Sequence, residues 1–266
     1  MLGLGLSLTK APLYGGTIGS GLADSSVDAA ATALIARMSP APDTTRQGHI
    51  NTLIVALKAA GVWDKTDILY VLAAHDAQAA GLNWKAATFE LTLTNAPTFT
   101  TDRGYAGDGS TSYLDTGYNP ASASVGMALN DAHIGVYARD NTADADFDMQ
   151  GTLGTNLGVR ARNLTAAQIR VCSGTSTAFT TGGNAPHHIM GIRRDASNQL
   201  GFRNGAQDVT AAVASTALPG YITIFGNGSI FSDRQMAAAH VGRALSDPQA
   251  LALANAIQSY MTAVGA

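Results

Sequence analysis

Thr100-Thr101-Asp102-Arg103-Gly104-Tyr105-Ala106-Gly107-Asp108-Gly109-Ser110-Thr111-Ser112-Tyr113-Leu114-Asp115-Thr116-Gly117-Tyr118-Asn119-Pro120 is the stretch whose reading decides the fold. Gly-Asp-Gly-Ser-Thr is a turn, because Gly takes positive φ without strain and Asp and Ser side chains bond the nearby backbone. The flanks read as strands: Tyr105 before the turn and Ser112 to Thr116 after it, with Tyr113 and Asp115 on one face and Leu114 on the other. The stretch lies where a helix-rich front gives way to a β-rich remainder. It predicts an antiparallel β-sandwich.

On its C-terminal side, short apolar or alternating runs recur between turn residues. His133 to Arg139, Phe147 to Leu153, Gln168 to Cys172, His187 to Arg193, Leu200 to Arg203, Tyr221 to Phe225 and Gln235 to Val241 read as strands, and Asn204-Gly205 as a two-residue hairpin of the primed type. Many short strands without a βαβ rhythm predict a sandwich or jelly roll. The chain ends on Ser246-Asp247-Pro248-Gln249, a capping box with Pro in the first turn. A helix through Leu251, Leu253, Ile257, Tyr260 and Met261 follows.

On its N-terminal side the period is helical. Asp24 or Ser25 can cap a helix carrying Val27, Ala31, Leu34, Ile35 and Met38, which Pro40 and Pro42 close. Thr44 with Gln47 matches a capping box before an Ile50, Leu53, Ile54, Leu57 stripe that ends at Gly61. Residues 68–74 fit a buried strand or a third helix, between which periodicity does not choose, and a brief helix follows from Asp76 to Asn83. Beyond Trp84, Phe89, Leu91 and Leu93 alternate with polar residues until Pro97. This gives three segments: residues 1–23, a small helical part over 24–84, and a jelly roll with a C-terminal helix over 85–266.

Charged residues make up 13% of the chain and the net charge is -3, so there is no basic field for a phosphate backbone and nucleic acid is not an expected partner. A surface of small polar residues suits assembly with further subunits, and a homo-oligomer is expected. Cys172 is the only cysteine, which rules out an intrachain disulfide and a Cys-built zinc site. No stretch is long and apolar enough to span a bilayer, so no membrane insertion is expected. Met1-Leu2-Gly3-Leu4-Gly5-Leu6-Ser7-Leu8 mimics a signal core but lacks a preceding positive charge. Its alternating leucines would share one face of an added strand, which makes residues 1–23 either a Gly-rich tail or an arm that orders on a partner.

Glu90 is the only glutamate, so the glutamate pair that retaining glycosidases of sandwich type use is missing, although aspartates could substitute. No Gly-x-Ser-x-Gly elbow occurs, nothing places Cys172 beside a base, and no catalytic residue is assigned. Asp144, Asp146 and Asp148 share a face if that segment is extended. They form the candidate oxygen site for a hard cation such as Ca²⁺, against the simpler reading of a charged edge strand; no other cofactor is implied. His187 and His188 point to opposite faces of a strand and cannot easily share an ion. Tyr105, Tyr113 and Tyr118, with Asp108 in the turn, are the candidate ligand-binding residues, because aromatic faces beside hydroxyl-binding groups are what weak sugar sites use. For each ring taken singly, the alternative is a place in the core.

The 100–120 run, with Thr-Asp-Arg-Gly-Tyr, Gly-Asp-Gly, Ser-Tyr-Leu-Asp-Thr-Gly and Asn-Pro in order, resembles a segment of tailed-bacteriophage and phage-like particle structural proteins, where it opens a concanavalin A/laminin-G-like jelly roll. Ala-Leu-Ile-Ala-Arg-Met, Ile-Asn-Thr-Leu, Ala-Gly-Val-Trp, Ala-Ala-His-Asp-Ala-Gln-Ala and Leu-Asn-Trp-Lys resemble the front of the same proteins, so the likeness covers residues 24–120. The resemblance implies a non-enzymatic virion component, a tail or head fibre, spike or decoration made in the host cytoplasm. It would hold other virion proteins through its N-terminal arm and contact host-surface glycans. A surface-polysaccharide depolymerase of the same fold and a free lectin-like module are the alternatives.

Overall fold

The computed structural model describes residues 27–122, 126–140, 146–152, 156–161, 165–180, 187–226 and 229–266. The Leu/Gly segment and the Asp24/Ser25 cap lie outside them. In chain order the elements are α1 (Ala29–Ile35), α2 (Thr44–Ala59), β1 (Thr66–Val71), α3 (Ala77–Ala80), β2 (Thr92–Thr94), β3 (Thr98–Thr100), β4 (Gly104–Ala106), β5 (Tyr113–Asp115), β6 (Ala132–Ala138), β7 (Met149–Gly151), β8 (Leu157–Arg160), β9 (Gln168–Val171), β10 (Thr177–Ala178), β11 (His187–Arg193), β12 (Asn198–Arg203), β13 (Ala206–Ala212), β14 (Ile222–Ile224), β15 (Gln235–Gly242) and α4 (Asp247–Val264). They form the expected mainly-β, antiparallel two-sheet sandwich. Sheet A runs β13-β12-β11-β6-β15-β4-β3 and sheet B runs β10-β9-β8-β7-β14-β5-β2.

Residues 68–74 resolve as strand. β1 pairs with β15, Ile68 opposite Val241 and Val71 opposite Ala238, on the edge of β15 that also carries β4. The helical front is thereby hydrogen-bonded into sheet A. Ile68, Leu69, Tyr70 and Val71 are all fully buried, which is why the run shows no one-sided period.

The helix starts differ from the sequence reading by a residue or more. Asp28 caps α1 by accepting from the Ala30 N–H, and Asp43, not Thr44, caps α2 by accepting from the Arg46 N–H. Gln47 turns back to donate to the Pro42 carbonyl. The α4 capping box forms as expected, and Gly265 closes that helix at φ 72°. Leu253, Ile257, Tyr260 and Met261 are buried, whereas Leu251 is 45% exposed, about 200° around the helix from Leu253. The Asn204-Gly205 hairpin joins β12 to β13, both residues at positive φ.

Alternation decides which side of each sheet faces inward. A β-carbon on Gly191 of β11 would meet Val171 and Ile169 of β9, so odd-numbered β11 residues face sheet B. Even-numbered ones face the helical layer. Tyr137 of β6 belongs to that outer face, and its hydroxyl donates to Gln258 of α4. The sandwich core holds Ile134, Val136, Ile189, Val159, Ile169 and Ile224, each fully buried and each worth about 1.5–3 kcal/mol relative to exposure.

At one end the two sheets are tied by a buried ion cluster. Arg234, just before β15, is fully buried and donates from Nε to Asp148 Oδ1 at 3.0 Å, while its Nη1 pairs with Asp140 at 3.3 Å. Asp148 also accepts from Ser232 Oγ at 2.9 Å and from the Ala161 N–H at 2.5 Å. Burial pushes its carboxyl up to about 6, opposed by Arg234. Removing Asp148 would take away the fully buried counter-charge of Arg234 and leave it only the partly exposed Asp140 as an acidic partner. Asp148→Ala should therefore lower unfolding free energy in urea titrations by about 3–5 kcal/mol. Glu90→Ala, which removes a half-exposed pair with Arg37, should cost only about 0–1 kcal/mol.

Candidate functional site

Sheet B has a second face, turned away from the core. With Leu114, Ile222, Ile224, Met149, Leu157 and Val159 buried inward, the alternate residues point outward. Strand register places Thr92, Asp115, Thr223, Gln150, Gly158 and Arg170 in one line across it. Tyr113 lies one pleat along from Asp115, opposite Thr94 of β2.

The β2–β5 end of this face is accessible. Tyr113 and Asp115 are partly exposed, and Thr92 is exposed. Phe231 comes down beside Tyr113 with ring centroids 6.5 Å apart and planes at 39°. The two rings make a short aromatic platform. Asp115 accepts from the Gly117 N–H at 2.9 Å through one of its two oxygens. Toward β9 the face changes character. Phe147 covers Gly158, where any β-carbon would overlap its ring, and the guanidinium carbons of Arg160 and Arg170 lie 4.2 and 4.7 Å from the ring centroid.

The Asp108 turn borders the platform. Asp108 accepts from the N–H groups of Ser110, Thr111 and Ser112 at 2.7–2.9 Å and from Thr111 Oγ1. Those donors, the Thr111 N–H foremost, hold its carboxyl far below the usual range, although it is exposed. Gly107 must be glycine: a β-carbon there would overlap the Ser232 carbonyl oxygen. Asp108 therefore builds the turn.

The remaining candidates separate. Tyr113 and Asp108 sit at the accessible face, but Tyr105 and Tyr118 are buried. Tyr105, in sheet A, packs on Phe99 and donates to the Ala77 carbonyl at 3.1 Å. Tyr118 lies edge-on to Phe89 and donates to Asp67 Oδ2 at 2.7 Å, with burial raising its pKa. These two rings are core, contrary to their reading as ligand contacts. Of the acidic triplet, Asp144 lies outside the described residues and Asp146 is half-buried. Asp148 is committed to Arg234, Ser232 and Ala161, so its oxygens do not face a cation. Among the described residues no three His, Cys, Asp or Glu side chains gather as a metal site.

Phe231, Thr92 and Thr94 escaped the sequence reading because they reach Tyr113 through strand pairing and a distant loop. Cys172 is buried and its thiol is pushed up to about 12 by burial, which leaves no thiolate to attack. A separate cleft of about 300 Å³ lies between α2 and α4, lined by small side chains such as Ala56, Ala252, Ala256 and Ala263. No helix among the described residues is long and apolar enough to cross a membrane.

No family model and no curated protein sequence matches the chain. Solved structures do. Domain 4 of AbnA, an extracellular GH43 arabinanase from Geobacillus stearothermophilus solved with arabinotriose, is similar at TM-score 0.51 and 12% identity over 71% of this chain and 98% of that one. The receptor binding domain of botulinum neurotoxin C/D mosaic serotype is similar at TM-score 0.53 and 10% identity, over 73% of this chain and 51% of that one. The botulinum neurotoxin serotype D ligand binding domain solved with N-acetylneuraminic acid is similar at TM-score 0.51 and 10% identity, over 75% and 52%. This chain thus spans about half of each toxin chain. The likeness is one of fold.

Tyr113 in β5 and Tyr118 just beyond it should behave oppositely. Tyr118→Ala should cost about 3–5 kcal/mol, as for a buried ring, whereas Tyr113→Ala should stay within about 1 kcal/mol of the parent. Thermal unfolding of the two variants checks the assignment.

Proposed function

We propose that this protein is a non-enzymatic glycan-binding subunit of a tailed-phage or phage-like particle, and that the Tyr113–Phe231 platform of sheet B is its contact surface. The observation that carries the binding role is the platform itself: two rings, Asp115 and the Thr92 and Thr94 hydroxyls on one accessible sheet face. Aromatic faces receive the apolar side of a sugar, and the carboxylate and hydroxyls fix its orientation. Structural neighbours solved with arabinotriose and with N-acetylneuraminic acid support a sandwich in this role. The particle assignment rests on the resemblance of residues 24–120.

The non-enzymatic reading is supported by the position of the lone glutamate. Glu90 pairs with Arg37 at 3.2 Å in the loop before β2, and Asp115 is the carboxylate in the line of side chains that crosses sheet B. Acid/base hydrolysis of a glycoside most often uses two carboxyls flanking one bond. A single platform binds weakly, and many copies on one particle supply avidity.

The test uses particles or multivalent assemblies carrying the chain, presented with immobilised capsular and lipopolysaccharide glycans. Tyr113→Ala should weaken retention by about tenfold with an unchanged melting temperature, given the ~0.5–1.5 kcal/mol of an aromatic contact multiplied over copies. The same glycans should release no new reducing ends. Saturable turnover abolished by an aspartate substitution would replace this reading with a depolymerase, and retention unaffected by Tyr113→Ala would remove the platform.

A further inference from the structure

Three imidazoles lie in a row on the outer face of sheet A, one from each of three adjacent strands. His188 of β11, His240 of β15 and His133 of β6 are all fully buried, with ring centroids 5.0 Å apart for His188–His240 and 5.1 Å for His133–His240. A β-carbon on Gly135 would overlap the His240 ring, so that glycine lets the ring lie over β6.

Hydrogen bonding fixes the row in its neutral form. His188 Nε2 and His240 Nε2 are 2.7 Å apart, so one must carry the proton and the other must accept it. Protonating the acceptor sets two N–H groups against each other. His133 Nδ1 donates to the Arg243 carbonyl at 2.5 Å, which leaves its Nε2 as the bare nitrogen. His133 Nε2, His188 Nδ1 and His240 Nδ1 are buried with no hydrogen-bond partner, so a second proton on His133, or on whichever of the paired rings donates, would enter a site without an acceptor.

The surroundings offset such a charge only at His133, where Asp67 and Asp131 favour the charged form and burial outweighs them. His133 feels Asp67, Asp131 and Lys65; His188 feels His133 and His187; His240 feels His188 and His133. From the helical layer, α4 contributes no charged side chain after Asp247, and α2 turns Ile50, Leu53, Ile54 and Leu57 inward. Tyr137 shares the face and stays neutral in acid, because burial raises it further.

We propose that this imidazole row is an acid-operated latch, whose protonation releases the helical layer of α2 and α4 from sheet A. Burial depresses His133 to about 4 and His188 to about 3, and holds His240 well below the usual value. A histidine depressed in the closed form favours closure fully above about 6.5, its open-form value, and loses that contribution as pH falls toward the depressed values. Each ring then changes the opening constant by up to about tenfold per pH unit. Three rings acting together make the response steep.

Hydrogen exchange of the full chain at pH 7.5, 6 and 5, corrected for intrinsic rates, reads the opening directly. Amides of α4 should lose protection at pH 5 while those of β7, β8 and β14 in sheet B keep theirs. Equal protection of α4 at all three values, or simultaneous loss in α4 and sheet B, would overturn the latch. His188→Gln preserves a hydrogen-bonding group at the Nε2 position without titrating, and should shift the opening midpoint to lower pH. Should that variant fail to fold, imidazole carbon shifts of the parent decide: the rings remain neutral until α4 opens if the latch is correct, and ordinary titration near 6.5 with α4 still docked overturns it.

Discussion

The pairing of β15 along both its edges is the constraint on which the rest of the structure depends. One edge takes β6 from Ala138 to His133, and the other takes β1 and then β4. The strand's sequence, Gln-Met-Ala-Ala-Ala-His-Val-Gly, is small at its centre and buried from Met236 to Gly242. Small residues let other layers approach from both sides, and two-sided burial makes a one-residue slip in register costly. Through β15 the helical front, the sandwich core and the Arg234 cluster belong to one hydrogen-bonded body.

This arrangement gives the two sheets different duties. The outer face of sheet A is consumed by packing against α2 and α4 and holds the neutral histidines. Among the described residues no helix lies in front of the β2–β5 end of the outer face of sheet B, and Tyr113, Asp115 and Phe231 are partly exposed there. Asp108 holds the bordering turn through four donors, so the platform's rim is set by local chemistry. The buried Asp148–Arg234 pair ties the residue before β7 in sheet B to the segment entering β15 in sheet A.

Much of the fold was legible in the sequence because its signals are local. His187 to Arg193 occupies its expected span, the Asn204-Gly205 hairpin forms, and the Ser246–Gln249 capping box starts α4. Alternation around Leu114 placed Tyr113 and Asp115 on one face and Leu114 on the other, as the strand has them. Local signals failed where a distant partner decides the outcome. Tyr118 follows the strand and could have pointed either way; Asp67, fifty-one residues earlier, claims its hydroxyl. Asp148 resembles an edge carboxylate until Arg234, eighty-six residues later, is brought to it. Phe231 and the His188–His240 contact were invisible for the same reason, since no period or spacing joins residues from separate strands.

Ligand recognition is proposed for the β2–β5 end of sheet B. Amide chemical-shift mapping on the isotopically labelled chain, titrated with short oligosaccharides from bacterial surface glycans, tests that assignment most directly. Perturbations should cluster at residues 92–94, 113–115 and 229–231. Perturbations confined to the cleft between α2 and α4, or absent throughout the sandwich at saturating sugar, would contradict it.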